Sequence, residues 1–220
     1  VPLSQDDIFY SNDSLEKIVK HFLNTNCCIC TSKRIGSLTG KISPSINEIM
    51  LLKDANNKKI WLRCGIRNFI SGATLFFKRD FMGEIGYFDE DFILLEDYPL
   101  VLKLLNNNVH ISFLDDITLI YGEEGVTGKN VKPSERLIND NILVYEKYIF
   151  PYIDKKNSKM FYQYVYWKCN RWKKMIGKTT GKVSLRLFWF LVYTKLISII
   201  FNDKNCIDLR YKILEKELCK

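Results

Sequence analysis

The stretch from Phe69 to Leu105 carries seven carboxylates on an apolar framework and ends in the pair Glu96-Asp97, which opens a run of helical spacing. Tyr98, Leu100, Val101, Leu102, Leu104 and Leu105 form a dense apolar face with Lys103 outside it. Glu96 and Asp97 therefore fall in a first helical turn, where the macrodipole favours anions. Carboxylates held there carry chemistry or a cation, or simply cap the helix.

A second acidic site lies at Ser4-Gln5-Asp6-Asp7. It is followed by Ile8-Phe9-Tyr10, then Asn12-Asp13, then Leu15, Ile18, Val19, Phe22 and Leu23 at the spacing of an amphipathic helix. Asp6 and Asp7 are thus expected on a loop. Adjacent loop carboxylates suit a hard divalent cation, which prefers oxygen ligands and completes its shell with substrate phosphates.

The ordered series SxDD, amphipathic helix, strand, SGATLFFKRD, IGYFDEDFxLLED, helix, strand resembles the second half of a family 2 glycosyltransferase with the GT-A fold. The resemblance covers about Leu3 to Gly128 and implies an α/β architecture: a partial, Rossmann-like GT-A domain followed by a C-terminal α-helical appendage. It implies Mn2+ or Mg2+ at Asp6 and Asp7, with Asp6 the better positional match. Ser71, Gly72 and Ala73 would lie beside the acceptor, and Glu96-Asp97 would supply the catalytic base, with Asp97 the base and Glu96 positioning it or the acceptor. Ile85-Gly86-Tyr87-Phe88-Asp89-Glu90 is similar to the family's GxFDE segment, which puts Asp89 and Glu90 among the substrate-binding residues. Tyr121 to Thr127 resembles the variable loop after the next strand.

The expected activity is inverting transfer of a sugar from a nucleotide-diphosphate sugar to the hydroxyl of a glycan or lipid-linked acceptor, in bacterial surface polysaccharide or glycan synthesis. Two departures stand out. Ser4 occupies the place of the first acid of the DxD motif, and the loop from Tyr121 to Gly128 lacks the histidine that approaches the metal in some relatives. His21 and His110 read as surface or packing residues. The chain also starts almost on the metal motif, without the doubly wound half that cradles a nucleotide base and without a phosphate loop to replace it. It is therefore expected to be a fragment of a longer enzyme. A non-catalytic remnant serving binding or assembly is the first alternative.

Composition suits a packed core: 220 residues, 47% hydrophobic and 14% aromatic. Seven cysteines include Cys27-Cys28-Ile29-Cys30. Zinc sites pair one such group with a second, so the apolar setting from Cys27 to Ile35 reads as a buried strand. An odd count of thiols without a secretory signal points to a reducing, cytosolic compartment.

Charge divides the chain. Residues 1–150 hold 17 Lys and Arg against 20 Asp and Glu, and residues 151–220 hold 16 against 5. A basic, aromatic-rich tail fits an anionic membrane surface or, as a second alternative, nucleic acid. The acidic first part and the lack of a zinc-finger or RNP-type signature weigh against nucleic acid.

Leu185 to Phe201 is nearly all apolar but is broken by Arg186, Thr194, Lys195 and Ser198. As a helix it is roughly 25 Å long, short of a ~30 Å hydrocarbon core. It suits the plane of the interface on the inner face of a cell membrane, or packing against protein. The domains are expected at 1–128 and 129–220, joined by a polar connector from Lys129 to Glu135, with a new helix near Ser134. Strands are predicted near Cys27–Ser32, Ile60–Cys64, Thr74–Phe77 and His110–Phe113, with a loop from Gly36 to Asn57.

Overall fold

The computed structural model describes residues 4–123, 132–178, 180–200 and 206–218. The chain is mixed α/β, with five strands and nine α-helices among the described residues. It divides into two compact units, one reaching Cys64 and continuing over Asn68–Pro133, the other formed by Gly65–Arg67 and Ser134–Lys220.

The first unit contains strand β1 (Ile8–Phe9), helix α1 (Ser14–Thr25), β2 (Ile29–Gly36), β3 (Ile42–Ser43), α2 (Ile46–Asp54), α3 (Asn57–Ile66) as far as Cys64, β4 (Leu75–Phe77), α4 (Arg79–Ile85), α5 (Asp97–Asn106) and β5 (Ser112–Tyr121). At the centre, β2 and β5 run parallel, from Cys30 opposite Ser112 to Gly36 opposite Tyr121, with the register shifting around Lys33. β1 flanks β5, while β4 and β3 share the other edge of β2, all antiparallel. β4 lines the first half of β2 and β3 the last. Ile29, Cys30, Thr31 and Ser32 are all buried, because a strand paired on both edges and covered on both faces loses its alternation. Ser32 and Thr118 join by hydroxyls 2.6 Å apart across the central pair. Helix α1 seats Ile18 and Phe22 against Cys30, Phe76 and Leu114.

Strand expectations near Cys27, Thr74 and His110 correspond to β2, β4 and β5, although β5 continues to Tyr121. Ile60–Cys64 is not a strand but lies inside α3. Ile60, Trp61, Leu62, Arg63, Cys64 and Ile66 are all buried, and burial all round erases the helical period that would have marked it. Nor is Gly36–Asn57 a loop, since it holds β3 and α2. The signal there was a capping box: the Ser45 N–H donates to Glu48 Oε2 at 2.9 Å. The same Glu48 carboxylate pairs with the Arg63 guanidinium, both side chains almost wholly buried, which locks α2 to α3.

The second unit contains α6 (Glu135–Val144), α7 (Lys159–Met175), α8 (Leu185–Ile200) and α9 (Ile207–Leu218). Ser134 caps α6 by accepting from the Leu137 N–H at 3.2 Å, so the helix expected near Ser134 starts there. Most of the predicted connector, with the expected domain limit at 128, lies outside the described residues. Phe150, Tyr162 and Tyr166 form an aromatic cluster. Helix α8 packs Phe190 edge-on against Tyr164 of α7 and receives Arg210 of α9 on Thr194 at 3.1 Å. Glu217 accepts from the Met160 and Phe161 N–H groups at the start of α7. No described helix is long and apolar enough to cross a membrane.

Candidate functional site

Asp97 is the first residue of α5, and the Glu96 side chain ahead of it makes no capping bond. The Asp97 carboxylate instead meets the segment Ser71-Gly72-Ala73. The Gly72 N–H donates to Asp97 Oδ2 at 2.8 Å. A Cβ on Gly72 would lie 2.6 Å from Asp97 Cβ and 2.9 Å from Oδ2, so this close approach requires glycine. Burial raises the Asp97 pKa above the usual carboxylate value; the Gly72 N–H opposes this, the neighbouring Glu96 charge adds to it, and the Tyr98 and Asp97 N–H groups oppose it. The residue keeps part of its surface open to solvent, and Glu96 is exposed. A half-enclosed carboxylate with a raised pKa is equipped for proton transfer nearer neutral pH.

Gly72–Thr74 is a single 3-10 turn whose N-cap is Ser71, with Gly72, Ala73 and Thr74 buried. It leads into β4, which runs against β2 with Leu75 opposite Thr31. The turn therefore lies toward the C-terminal ends of β2 and β5, and it packs against both strands.

At that end Asp6 and Asp7 meet Gly122. Asp7 accepts from the Gly122 N–H through Oδ1 at 3.0 Å and from the Ser4 N–H through Oδ2 at 3.2 Å. Asp6 is exposed, and its carboxylate lies so close to Gly122 that a Cβ there would come within 2.0 Å of Oδ2. The two acids thus differ. Asp7 fastens the chain before β1 to the end of β5, and Asp6 lies exposed with its carboxylate over Gly122. An exposed oxygen donor beside a backbone turn suits a hard cation sharing its shell with water and phosphate.

Asp89 accepts from the Asp91 N–H at 3.2 Å and its carbonyl from Phe92, organising the turn before α5. Glu90 is exposed beside it. The structure thus joins Asp97 to Gly72 and joins Asp6 and Asp7 to Gly122, while Asp89 shapes the approach to α5.

Two residues at the strand ends take roles that sequence reasoning did not give them. Arg34 lies over the Tyr121 ring, 3.5 Å from its centroid, with Nη1 enclosed and lacking a hydrogen-bond partner among the described residues. Glu123 accepts from the Leu38 and Thr39 N–H groups at 2.9 and 2.7 Å, tying the β2–β3 turn to the end of β5. Neither pairing leaves a sequence signal, because each joins residues about 85 positions apart. Of the stretch Tyr121 to Thr127 that resembled the variable loop, Tyr121 ends β5, Gly122 and Glu123 follow it, and residues 124–127 lie outside the described residues.

Comparison of the chain with protein-family models, with characterised proteins and with solved structures finds no match.

Proposed function

We propose that the chain is the acceptor-side part of an inverting, metal-dependent glycosyltransferase of the GT-A class. The observation that carries this reading is the Gly72–Asp97 contact: a half-enclosed carboxylate of raised pKa, oriented by a backbone N–H at the start of a helix. In this reading Asp97 removes the proton from the acceptor hydroxyl as it attacks the anomeric carbon, and one displacement inverts the configuration. Gly72 lets the backbone come close, and Glu96 positions the acceptor. Asp6 would hold Mn2+ or Mg2+, which when bound neutralises the departing diphosphate; Asp7 holds the loop that presents it. Arg34, stacked on the Tyr121 ring, adds a positive charge near the same strand ends that favours a phosphate there. Ligands of open α/β sheets sit at the carboxyl ends of their parallel strands, the end at which Asp7 meets Gly122 and Arg34 meets Tyr121.

The second unit adds a membrane-surface role. Leu185, Phe188, Trp189, Tyr193, Leu196 and Ile199 of α8 are exposed, on a segment whose surroundings are strongly basic. Anionic headgroups complement that charge while the aromatics enter the interface.

The test is transfer from a panel of sugar nucleotides by the intact protein with Mn2+. Asp97→Asn should abolish transfer with donor binding retained, and Glu96→Gln should cost less. Transfer by Asp97→Asn at the parent rate would overturn the reading.

A further inference from the structure

Helix α1 ends at Thr25, and Asn26 follows in the left-handed conformation (φ 49°). That turn folds the chain back so that Cys27 and Cys30 come beside His21, one helical turn before the end of α1. The ligand atoms of the three side chains all lie within 4.8 Å of one another. We propose that His21, Cys27 and Cys30 form a binding site for a thiophilic divalent cation of the zinc class.

Tetrahedral zinc, with Zn–S near 2.3 Å and Zn–N near 2.0 Å, spaces its ligand atoms about 3.5–3.8 Å apart. The cluster therefore needs closing by only about 1 Å, and a water fills the fourth position. Two thiolates and an imidazole select a borderline-soft ion over magnesium or calcium. The ring is already held: His21 Nε2 lies 2.8 Å from Ser112 Oγ, and Ser112 stands opposite Cys30 in the parallel register. Metal-ligating imidazoles are oriented by outer partners of this kind. Burial lowers the His21 pKa, which keeps the ring neutral and able to ligate. His21 and Cys27 are half-buried while Cys30 is buried, which leaves a path for entry on one side.

The alternative is a pair of packed thiols in the apolar cluster of Ile18, Phe76 and Leu114, where cysteine acts as a small hydrophobe. Convergence of a neutral imidazole on both sulfurs is more than packing requires. Burial pushes the Cys30 thiol up to about 12, so a cation must displace its proton and binding strengthens as pH rises. The site is separate from Asp6 and Asp7. It fastens the end of α1 to the start of β2, whereas Gly122 lies at the far end of the same strand pair, about 20 Å away at ~3.3 Å per residue.

The test is titration of the protein with Co2+, a spectroscopic substitute for zinc, with the thiols kept reduced by a phosphine. One equivalent should produce thiolate-to-cobalt charge-transfer absorption with tetrahedral ligand-field bands, displaced by Zn2+ and accompanied by a higher melting temperature. Cys27→Ser and His21→Asn should each weaken binding by ~10-fold or more, whereas Cys28→Ser, at the exposed neighbouring thiol, should keep the full signal. Circular dichroism establishes that each variant is folded, and His21→Asn keeps both thiols should Cys27→Ser fold poorly. Absence of charge transfer, or an unchanged signal in folded Cys27→Ser or His21→Asn, would overturn the proposal.

Discussion

Replacing Gly72 by Ala probes the contact on which the proposed chemistry depends. The added Cβ would stand 2.6 Å from Asp97 Cβ and 2.9 Å from Oδ2. Carbon pairs rest at ~3.5–4.0 Å, so the turn and the start of α5 must separate by about 1 Å. Gly72 and its neighbours Ala73 and Thr74 are buried, and forcing an extra carbon into such a place costs ~1–3 kcal/mol. Separation also stretches the 2.8 Å bond from the Gly72 N–H to the carboxylate, and bonds to charged groups contribute ~1.5–3 kcal/mol. Partial loss of that bond brings the total to about 2–4 kcal/mol, a fall in Tm of roughly 4–16 °C for a chain of this size. Displacement of the base by that distance should lower transfer by ~100-fold. Differential scanning calorimetry and a transfer assay measure the two effects. In an Asp97→Ala background most of the stability cost should persist, because Ala keeps the Cβ that makes the 2.6 Å contact; the difference isolates the carboxylate's share. Unchanged melting together with unchanged transfer in Gly72→Ala would refute the assigned contact.

The raised pKa of Asp97 sets the sign of a pH effect. Its contribution to stability is fully present below the unfolded carboxylate pKa and is lost as pH rises through the folded value. Chemical denaturation across a pH series should therefore show Asp97→Asn gaining on the parent as pH rises above about 4, and a pH-independent difference would refute this. Asp7→Ala should lower the melting temperature, since it removes the acceptor of the part-buried Gly122 N–H, a bond contributing ~0.5–1.5 kcal/mol. Asp6→Ala should leave melting nearly unchanged while abolishing Mn2+ activation of transfer, and equal effects of the two variants on both readouts would refute the division of roles. On α8, Phe188→Ser with Trp189→Ser should release the protein from anionic liposomes without unfolding it, because Trp189 is 60% exposed. Phe190→Ser should instead unfold the second unit, because Phe190 is 8% exposed against Tyr164. Retention of the double variant on the liposomes would refute docking through this face.

The amino-acid sequence by itself determined what depends on neighbours in the chain. The dense apolar run after Glu96-Asp97 makes α5, the spacing of Ile18 and Phe22 makes the buried face of α1, and Ser134 opens α6, because caps and periodicity act within a few residues. The apolar runs that became β2 and β4 were legible for the same reason. Tertiary structure alone decided whether Ile60–Cys64 was strand or helix, since burial on every side removes the pattern that separates them. It also decided which of two adjacent acids is fastened: Asp7 is distinguished from Asp6 by an N–H at Gly122, 115 residues away. The same holds for the meeting of Gly72 with Asp97, 25 residues apart, and of Arg34 with Tyr121, because a contact made by folding over such distances leaves no local spacing to read. His21, Cys27 and Cys30 lie within ten residues of one another, and there the left-handed turn at Asn26 decided that the three side chains converge.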